Sequence, residues 1–293
     1  MTALALAALL MTEPTPPTAA AYVQAIEQHR RDRERRLRSE RGWLSLVGLY
    51  WLKDGANKLG SDAGADVVLP AGAPAQAGTV TMHDGHVSVQ LAAGVAGTIE
   101  GKPVVTAELR PDDPGPPDVL MLGTVSLQVI KRAGKLGVRL KDSASPARRA
   151  FTGLRFFPIR SSYKVTARFV PHPHPVSITV PSAVGPAQTM ESPGAAVFTL
   201  DGRELRLDAV LESPTDTELF FVFRDATSGR DTYGAGRFLY TPLPRDGQVE
   251  LDFNKAFSPP CAFTPFATCP LPPPQNRLPV RIEAGELAPP VHP

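Results

Sequence analysis

Cysteine is scarce in this chain, with only Cys261 and Cys269 among 293 residues. Two are too few for a disulfide framework and are compatible with a reducing compartment, so free thiols are expected. Long apolar runs are missing too. No stretch reaches the ~18 consecutive apolar residues of a membrane helix, and no membrane span is expected. Nor is there an excess of one charge: 31 Lys plus Arg stand against 29 Asp plus Glu, a net charge of +2. That balance supplies no chain-wide field to gather nucleic acid or anionic membrane. The sequence also lacks a Gly-x-Ser-x-Gly nucleophile elbow and a phosphate-cradling Gly-rich loop ending in Lys. No cofactor is implied.

What is present is turn chemistry. Thirty-two prolines and 24 glycines favour short strands joined by turns, while 42% hydrophobic and 20% charged residues match a soluble globular protein with a real core. The length suits two modest domains. Ala3 to Met11 reads like a short signal-peptide core, with small residues near Ala19 to Ala21, but no Lys or Arg precedes it. Met11-Thr-Glu-Pro reads equally as an ordinary cytosolic start. The expectation is a cytoplasmic protein, the alternative being export through an atypical N-terminal signal.

Helical pattern covers Tyr22 to about Arg41, with a thin apolar stripe of Val23, Ile26 and Leu37. His29 to Arg41 holds seven arginines, which on their own suggest a nucleic-acid helix. Three acids sit four residues ahead of basic partners, Glu27 with Arg31, Asp32 with Arg36 and Glu34 with Arg38, and that pattern favours a solvated helix instead. Nucleic acid is not expected as a partner.

After Gly42 the hydrophobic period becomes two. Asp84-Gly85 and Asp201-Gly202 each separate two alternating runs and predict hairpins with tight turns. Further strands are expected at Val125–Ile130, Leu136–Leu140, Tyr163–Val170, Val176–Val180, Leu219–Phe223, Gly236–Tyr240, Val249–Phe253 and Leu278–Ile282. The result is a mainly β chain of two antiparallel β domains, each a sandwich or barrel, behind an N-terminal α-helix. The expected divisions are a mobile arm at 1–20, a charged helix at 21–41, one β domain at 42–142 and a second at 143–293. The last boundary rests on Ser143-Ala-Ser-Pro-Ala-Arg-Arg149, which breaks the strand rhythm.

Several short motifs fail on context. Ser161-x-x-Lys164 has Ser-Lys nucleophile spacing but sits in a strand pattern rather than at a helix start. Gly234-Ala-Gly236 lacks the third glycine and the following helix of a dinucleotide turn. His172 and His174 alternate with prolines and read as a polyproline-like connector. With Cys261 and Cys269 too far apart for a zinc knuckle, no metal site is expected.

The segment from Asp252 to Asn276 is different in kind: a long loop, stiffened by proline and bearing Phe257, Phe263 and Phe266. Long loops of this sort are commonly functional, with closure of the core as the bland reading. The motifs Gly42-Trp-Leu-Ser-Leu-Val-Gly-Leu-Tyr-Trp-Leu52, Ser145-Pro-Ala-Arg148 with Phe151-x-Gly153, Phe223-x-Asp225-x-Thr-Ser-Gly229 with Tyr233-Gly-Ala-Gly-Arg237, and Asp252 to Gly285 resemble the bacterial family of unknown function DUF1684. The resemblance runs from Tyr22 to Glu286. It implies no activity, though members often begin with an export or lipoprotein signal. A fainter resemblance joins Leu59-Gly-Ser61-Asp62 and Asp66-Val-Val-Leu69-Pro70 to the forkhead-associated β sandwich. Ser61 stands where that family's phosphate-pairing arginine would be, so no phosphothreonine peptide is expected to bind.

The functional expectation is a small-molecule or peptide binding protein with its site in the second domain, taking a small anionic molecule or peptide. Arg237 is the candidate anion-pairing group, oriented by Asp225. Tyr233 and Phe263 are candidate walls, and Asn254 and Asn276 candidate hydrogen-bonding groups. The rivals are a hydrolase or other enzyme with Cys261 or Lys255 as nucleophile, which would need a neighbouring cation to lower the thiol pKa, and a purely structural protein.

Overall fold

The computed structural model describes residues 18–290. Most of the expected N-terminal arm, and the whole signal-like stretch Ala3 to Met11, lie outside the described residues. Helix α1 spans Ala19–Arg38. Thr18 caps it, its Oγ1 accepting from the amide of Ala21 at 3.2 Å, and so satisfies one orphan donor of the first turn. Ile26, Arg33 and Leu37 are buried while Val23 is exposed, so the docked face is narrower than the apolar stripe suggests.

The helix is also less solvated than its charge pattern predicts. Glu27 pairs with Arg31 at 3.9 Å, but Asp32 reaches Arg35 rather than Arg36. Glu34 turns to the body, accepting from the amide of Leu154 at 2.7 Å. Arg30, Arg33 and Arg38 lie over the rings of Phe156, Phe257 and Phe151. A flat guanidinium can lie against a ring face while its edge still reaches hydrogen-bond acceptors.

Eleven strands follow: β1 (Leu46–Trp51), β2 (Gly55–Gly60), β3 (Val67–Val68), β4 (Gly78–His83), β5 (His86–Leu91), β6 (Gly97–Ile99), β7 (Lys102–Val104), β8 (Thr106–Glu108), β9 (Val119–Leu122), β10 (Val125–Arg132) and β11 (Lys135–Asp142). They form a six-stranded sheet ordered β1-β11-β10-β9-β6-β7 and a five-stranded sheet ordered β3-β2-β4-β5-β8. Every pair is antiparallel except β2 with β3. Leu59, Val80, Val89, Leu120, Leu127 and Val138 belong to one buried cluster. They come from alternate positions of their strands, the period that puts one face inward.

A short helix, α2 (Pro146–Ala150), leads to β12 (Lys164–Val180), β13 (Gln188–Leu200), β14 (Arg203–Asp208), β15 (Glu218–Phe223), β16 (Arg237–Pro242) and β17 (Gln248–Asp252). Four of these pair in the order β14-β13-β12-β17, while β15 and β16 pair as a separate hairpin. The chain is therefore mainly β, in open sheets rather than a closed barrel. Phe221 and Phe223 pack inward with Phe198, Leu207, Leu251 and Phe253. Phe220, Val222 and Phe238 pack outward with Leu46, Ala267 and Cys269. A hairpin buried on both faces explains the unbroken Phe220-Phe-Val-Phe223 run, each ring contributing roughly 1.5–3 kcal/mol.

Asp84-Gly85 and Asp201-Gly202 both close two-residue hairpins, with positive φ at Asp84 and Asp201. That is the backbone a type I′ turn requires. Two segments differ from expectation. Tyr163–Val170 and Val176–Val180 are one strand, β12, whose register shifts between Pro171 and Val176. The His172 imidazole lies 3.3 Å from the Ser192 hydroxyl rather than on a free connector. Leu278–Ile282 is a strap and not a strand: Leu278 donates to Arg224 O, and Val280 O accepts from Ala226. Pro279 has no N–H to continue a ladder.

Candidate functional site

The turn after β15 builds its own polar core. Asp225 Oδ1 accepts from the Thr227 hydroxyl at 2.9 Å and Oδ2 from the Ile282 amide at 2.7 Å. Arg237 opens β16 and has no exposed surface. Its Nη2 donates to Asp225 Oδ1 at 3.2 Å and to Ile282 O at 2.9 Å, and its Nη1 donates to Ala284 O. Burial pulls its pKa below the ordinary arginine value, and Asp225 opposes that shift. Asp225 does orient Arg237, as expected, but both side chains are sealed in the core. Arg237 is a strut tying β16 to the C-terminal strap and faces no open groove.

The two asparagines are struts as well. Asn276 is buried, donating through Nδ2 to Asp208 O and Val222 O and accepting from the Asp208 amide at 2.8 Å. Asn254 donates to Arg160 O and accepts from the Arg160 amide, and its Nδ2 also reaches the Tyr22 hydroxyl. Tyr22 in turn donates to Asp252 Oδ1 at 2.9 Å, clamping α1 to the end of β17. Burial and the Asp252 carboxylate together push the Tyr22 phenol well above its usual range. Amide groups that satisfy both a donor and an acceptor of buried backbone are what a loop-rich core requires.

Four other expected residues are scattered around the Pro-rich loop. Phe263 is buried beside Leu37, Leu44 and Phe151 under the helix. Lys255 lies 3.9 Å from Asp252. The Tyr233 hydroxyl donates to Cys261 O at 2.9 Å. Cys261 is half-buried and Cys269 buried, both free, and the Cys261 amide donates to Cys269 Sγ at 3.1 Å. The expected cation beside Cys261 is replaced by a second thiol. A hydrogen bond from Cys269 pulls the Cys261 pKa down, Tyr233 assisting against burial. The same bond, with burial, pushes Cys269 far up.

Sequence reading passed over two features. One is a fully buried carboxylate, Glu286, whose Oε2 pairs with Arg33 Nε of α1 at 3.3 Å. Arg33 also donates to Ser258 O at 2.8 Å. Burial raises the Glu286 pKa, and Arg33 opposes it. The other is an open groove of about 880 Å³ across β13, β12 and β17, lined by Thr166, Arg168, Val197, Thr199, Asp246 and Gln248 among others. Arg168 is exposed there and makes no ion pair or side-chain hydrogen bond among the described residues. Strand alternation could have found it, since Ala167 and Phe169 point inward and leave Arg168 on the outer face. A second concavity, of about 650 Å³, lies between the end of α1 and β9–β10, beside Arg41, Asp118 and Met121. No group of three or more metal-ligating side chains occurs among the described residues, and no described helix is long and apolar enough to cross a membrane.

The model of the family DUF1684, described as a protein of unknown function, matches residues 149–287, a narrower span than Tyr22 to Glu286. A solution structure of an uncharacterized protein from gene locus rrnAC0354 of Haloarcula marismortui is 34% identical, over 48% of this chain and 80% of that one, with a TM-score of 0.42. No curated protein matches.

Proposed function

Since this chain belongs to the family DUF1684, whose function is unknown, we propose from its geometry that it is a β protein binding a small anionic molecule or peptide, with the site in its second domain. The groove over β13, β12 and β17 carries this reading. An exposed arginine with no side-chain partner among the described residues, set in a concave face beside threonine hydroxyls and the Gln248 amide, matches a carboxylate or phosphate that needs a planar fork and flanking donors. Arg168 takes the role that sequence reasoning gave to Arg237. Thr166, Thr199 and Gln248 take the hydrogen-bonding roles given to the asparagines. Support for an enzyme is thinner: the Cys261 thiol is lowered by its neighbour Cys269, and no cation among the described residues contributes to that shift.

The test is a thermal-shift screen of anionic metabolites and acidic peptides, in which a ligand specific for the folded state raises the melting temperature. Arg168→Ala should weaken any hit at least tenfold, about 1.4 kcal/mol, while leaving the unliganded melting temperature nearly unchanged. A hit that binds Arg168→Ala with wild-type affinity refutes the site.

A further inference from the structure

Independently of the groove, the two cysteines form a unit that the proposed binding does not use. Cys261 sits in the turn Pro260–Ala262, anchored by the Tyr233 hydroxyl on its carbonyl at 2.9 Å. Cys269 is held from the other side, its carbonyl accepting from Ala183 at the tip of the β12–β13 arm at 2.8 Å. Both anchors hold the backbone carbonyls of the two cysteines in place. Cys269 Sγ lies 3.1 Å from the Cys261 amide nitrogen, which is bonded directly to the Cys261 Cα, so the Cys269 sulfur is held beside the residue it would have to bridge. We propose that Cys261 and Cys269 are a peroxide-responsive dithiol, with Cys261 the attacking and Cys269 the resolving sulfur.

The division of labour follows from exposure and charge. Cys261 is half-buried and reachable, whereas Cys269 is 4% exposed. The neighbouring Cys269 thiol lowers the Cys261 pKa, while the same neighbour together with burial raises that of Cys269, so thiolate is favoured on Cys261 and the proton stays on Cys269. Two more titratable groups face the pair, Tyr233 on the Cys261 side and Arg139 of β11 on the Cys269 side. The Cys261 thiolate attacks one oxygen of hydrogen peroxide, the O–O bond breaks, and the departing hydroxide takes up a proton as water. The sulfenic acid left on Cys261 is then attacked by the Cys269 sulfur. An S–S bond forms, the S–O bond breaks, and a second water carries off the Cys269 proton. Two thiols are oxidised by two electrons and one peroxide is reduced to two waters.

The test uses the full chain, reduced, freed of reductant and exposed to hydrogen peroxide while folded, then quenched in acid and alkylated under denaturing conditions. The oxidised chain should weigh about 2 Da less than the reduced one, take up no alkylating reagent, yield a Cys261–Cys269 cross-linked peptide on digestion and revert with dithiothreitol. In Cys269→Ser, dimedone should trap sulfenic acid at Cys261 at least tenfold more than it does at Cys269 in Cys261→Ser. Two titratable thiols surviving peroxide would overturn the proposal. So would equal trapping at both positions, or a bridge already present on purification and inert to dithiothreitol in the folded chain. If either serine variant loses its circular dichroism signature, the wild-type mass and peptide map decide alone.

Discussion

Replacing Arg237 with alanine should cripple the fold, and the magnitude can be built from its partners. The guanidinium bonds Asp225 Oδ1 and the carbonyls of Ile282 and Ala284, with no exposed surface. Removing one member of a buried ion pair typically costs about 3–5 kcal/mol. Asp225 keeps the Thr227 hydroxyl and the Ile282 amide, which holds that figure toward its lower end. The two carbonyls left without donors add about 1–3 kcal/mol each unless water enters. A loss of roughly 5 kcal/mol is a third or more of a typical stability of about 5–15 kcal/mol. At roughly 2–4 °C per kcal/mol for a chain of this size, the melting temperature should fall by roughly 10–20 °C. Arg237→Lys keeps the charge but cannot span three acceptors with one ammonium, so it should fall between wild type and alanine. Thermal melts by circular dichroism supply the measurement. Soluble Arg237→Ala melting within about 3 °C of wild type would refute the strut assignment and reopen a ligand role for this residue.

Two other perturbations probe different parts of the fold. Gly285 has φ +79, and a Cβ there would collide with the carbonyls of Ala256 and Phe253. Gly285→Ala should therefore lower the urea midpoint well beyond Gly247→Ala, which has φ +70 but open space around it and should cost about 1–2 kcal/mol from αL strain alone; equal losses would refute the backbone-collision argument. Burial pulls the Lys141 ammonium down to about 8, against about 10.4 in an unfolded chain. Between those values the unfolded state holds more protons, so this residue makes stability rise with pH. Lys141→Met should flatten the change in urea midpoint between pH 8 and pH 10, and an unchanged slope would count against the shift.

What the sequence revealed and what it hid separate by chain distance. Asp84-Gly85 and Asp201-Gly202 were legible because a turn with positive φ is decided by two adjacent residues and confirmed by alternation on either side. The strand Leu219–Phe223 was legible as a strand, yet nothing local said that both its faces are buried. That depends on Leu46 and Ala267 arriving from opposite ends of the chain. Arg237 was found as a special residue and given the wrong partner class. Its Asp225 lies 12 residues away, but its carbonyl acceptors lie 45 and 47 residues away, and backbone acceptors leave no trace in residue type. The Arg33–Glu286 pair spans 253 residues. In sequence Arg33 is one arginine among seven in a solvated-looking run, and only the fold separates it from its neighbours. Polar residues concentrated in a motif-rich segment therefore mark either a binding site or a core assembled from irregular backbone. Loops buried without strand or helix ladders must satisfy their amides and carbonyls with side chains. The strap from Asn276 to Glu286 is such a loop, which is why Asp225, Arg237 and Asn276 spend their polar atoms inside the core, while Arg168 sits in a regular strand whose backbone is already paired and keeps its side chain on the exposed face.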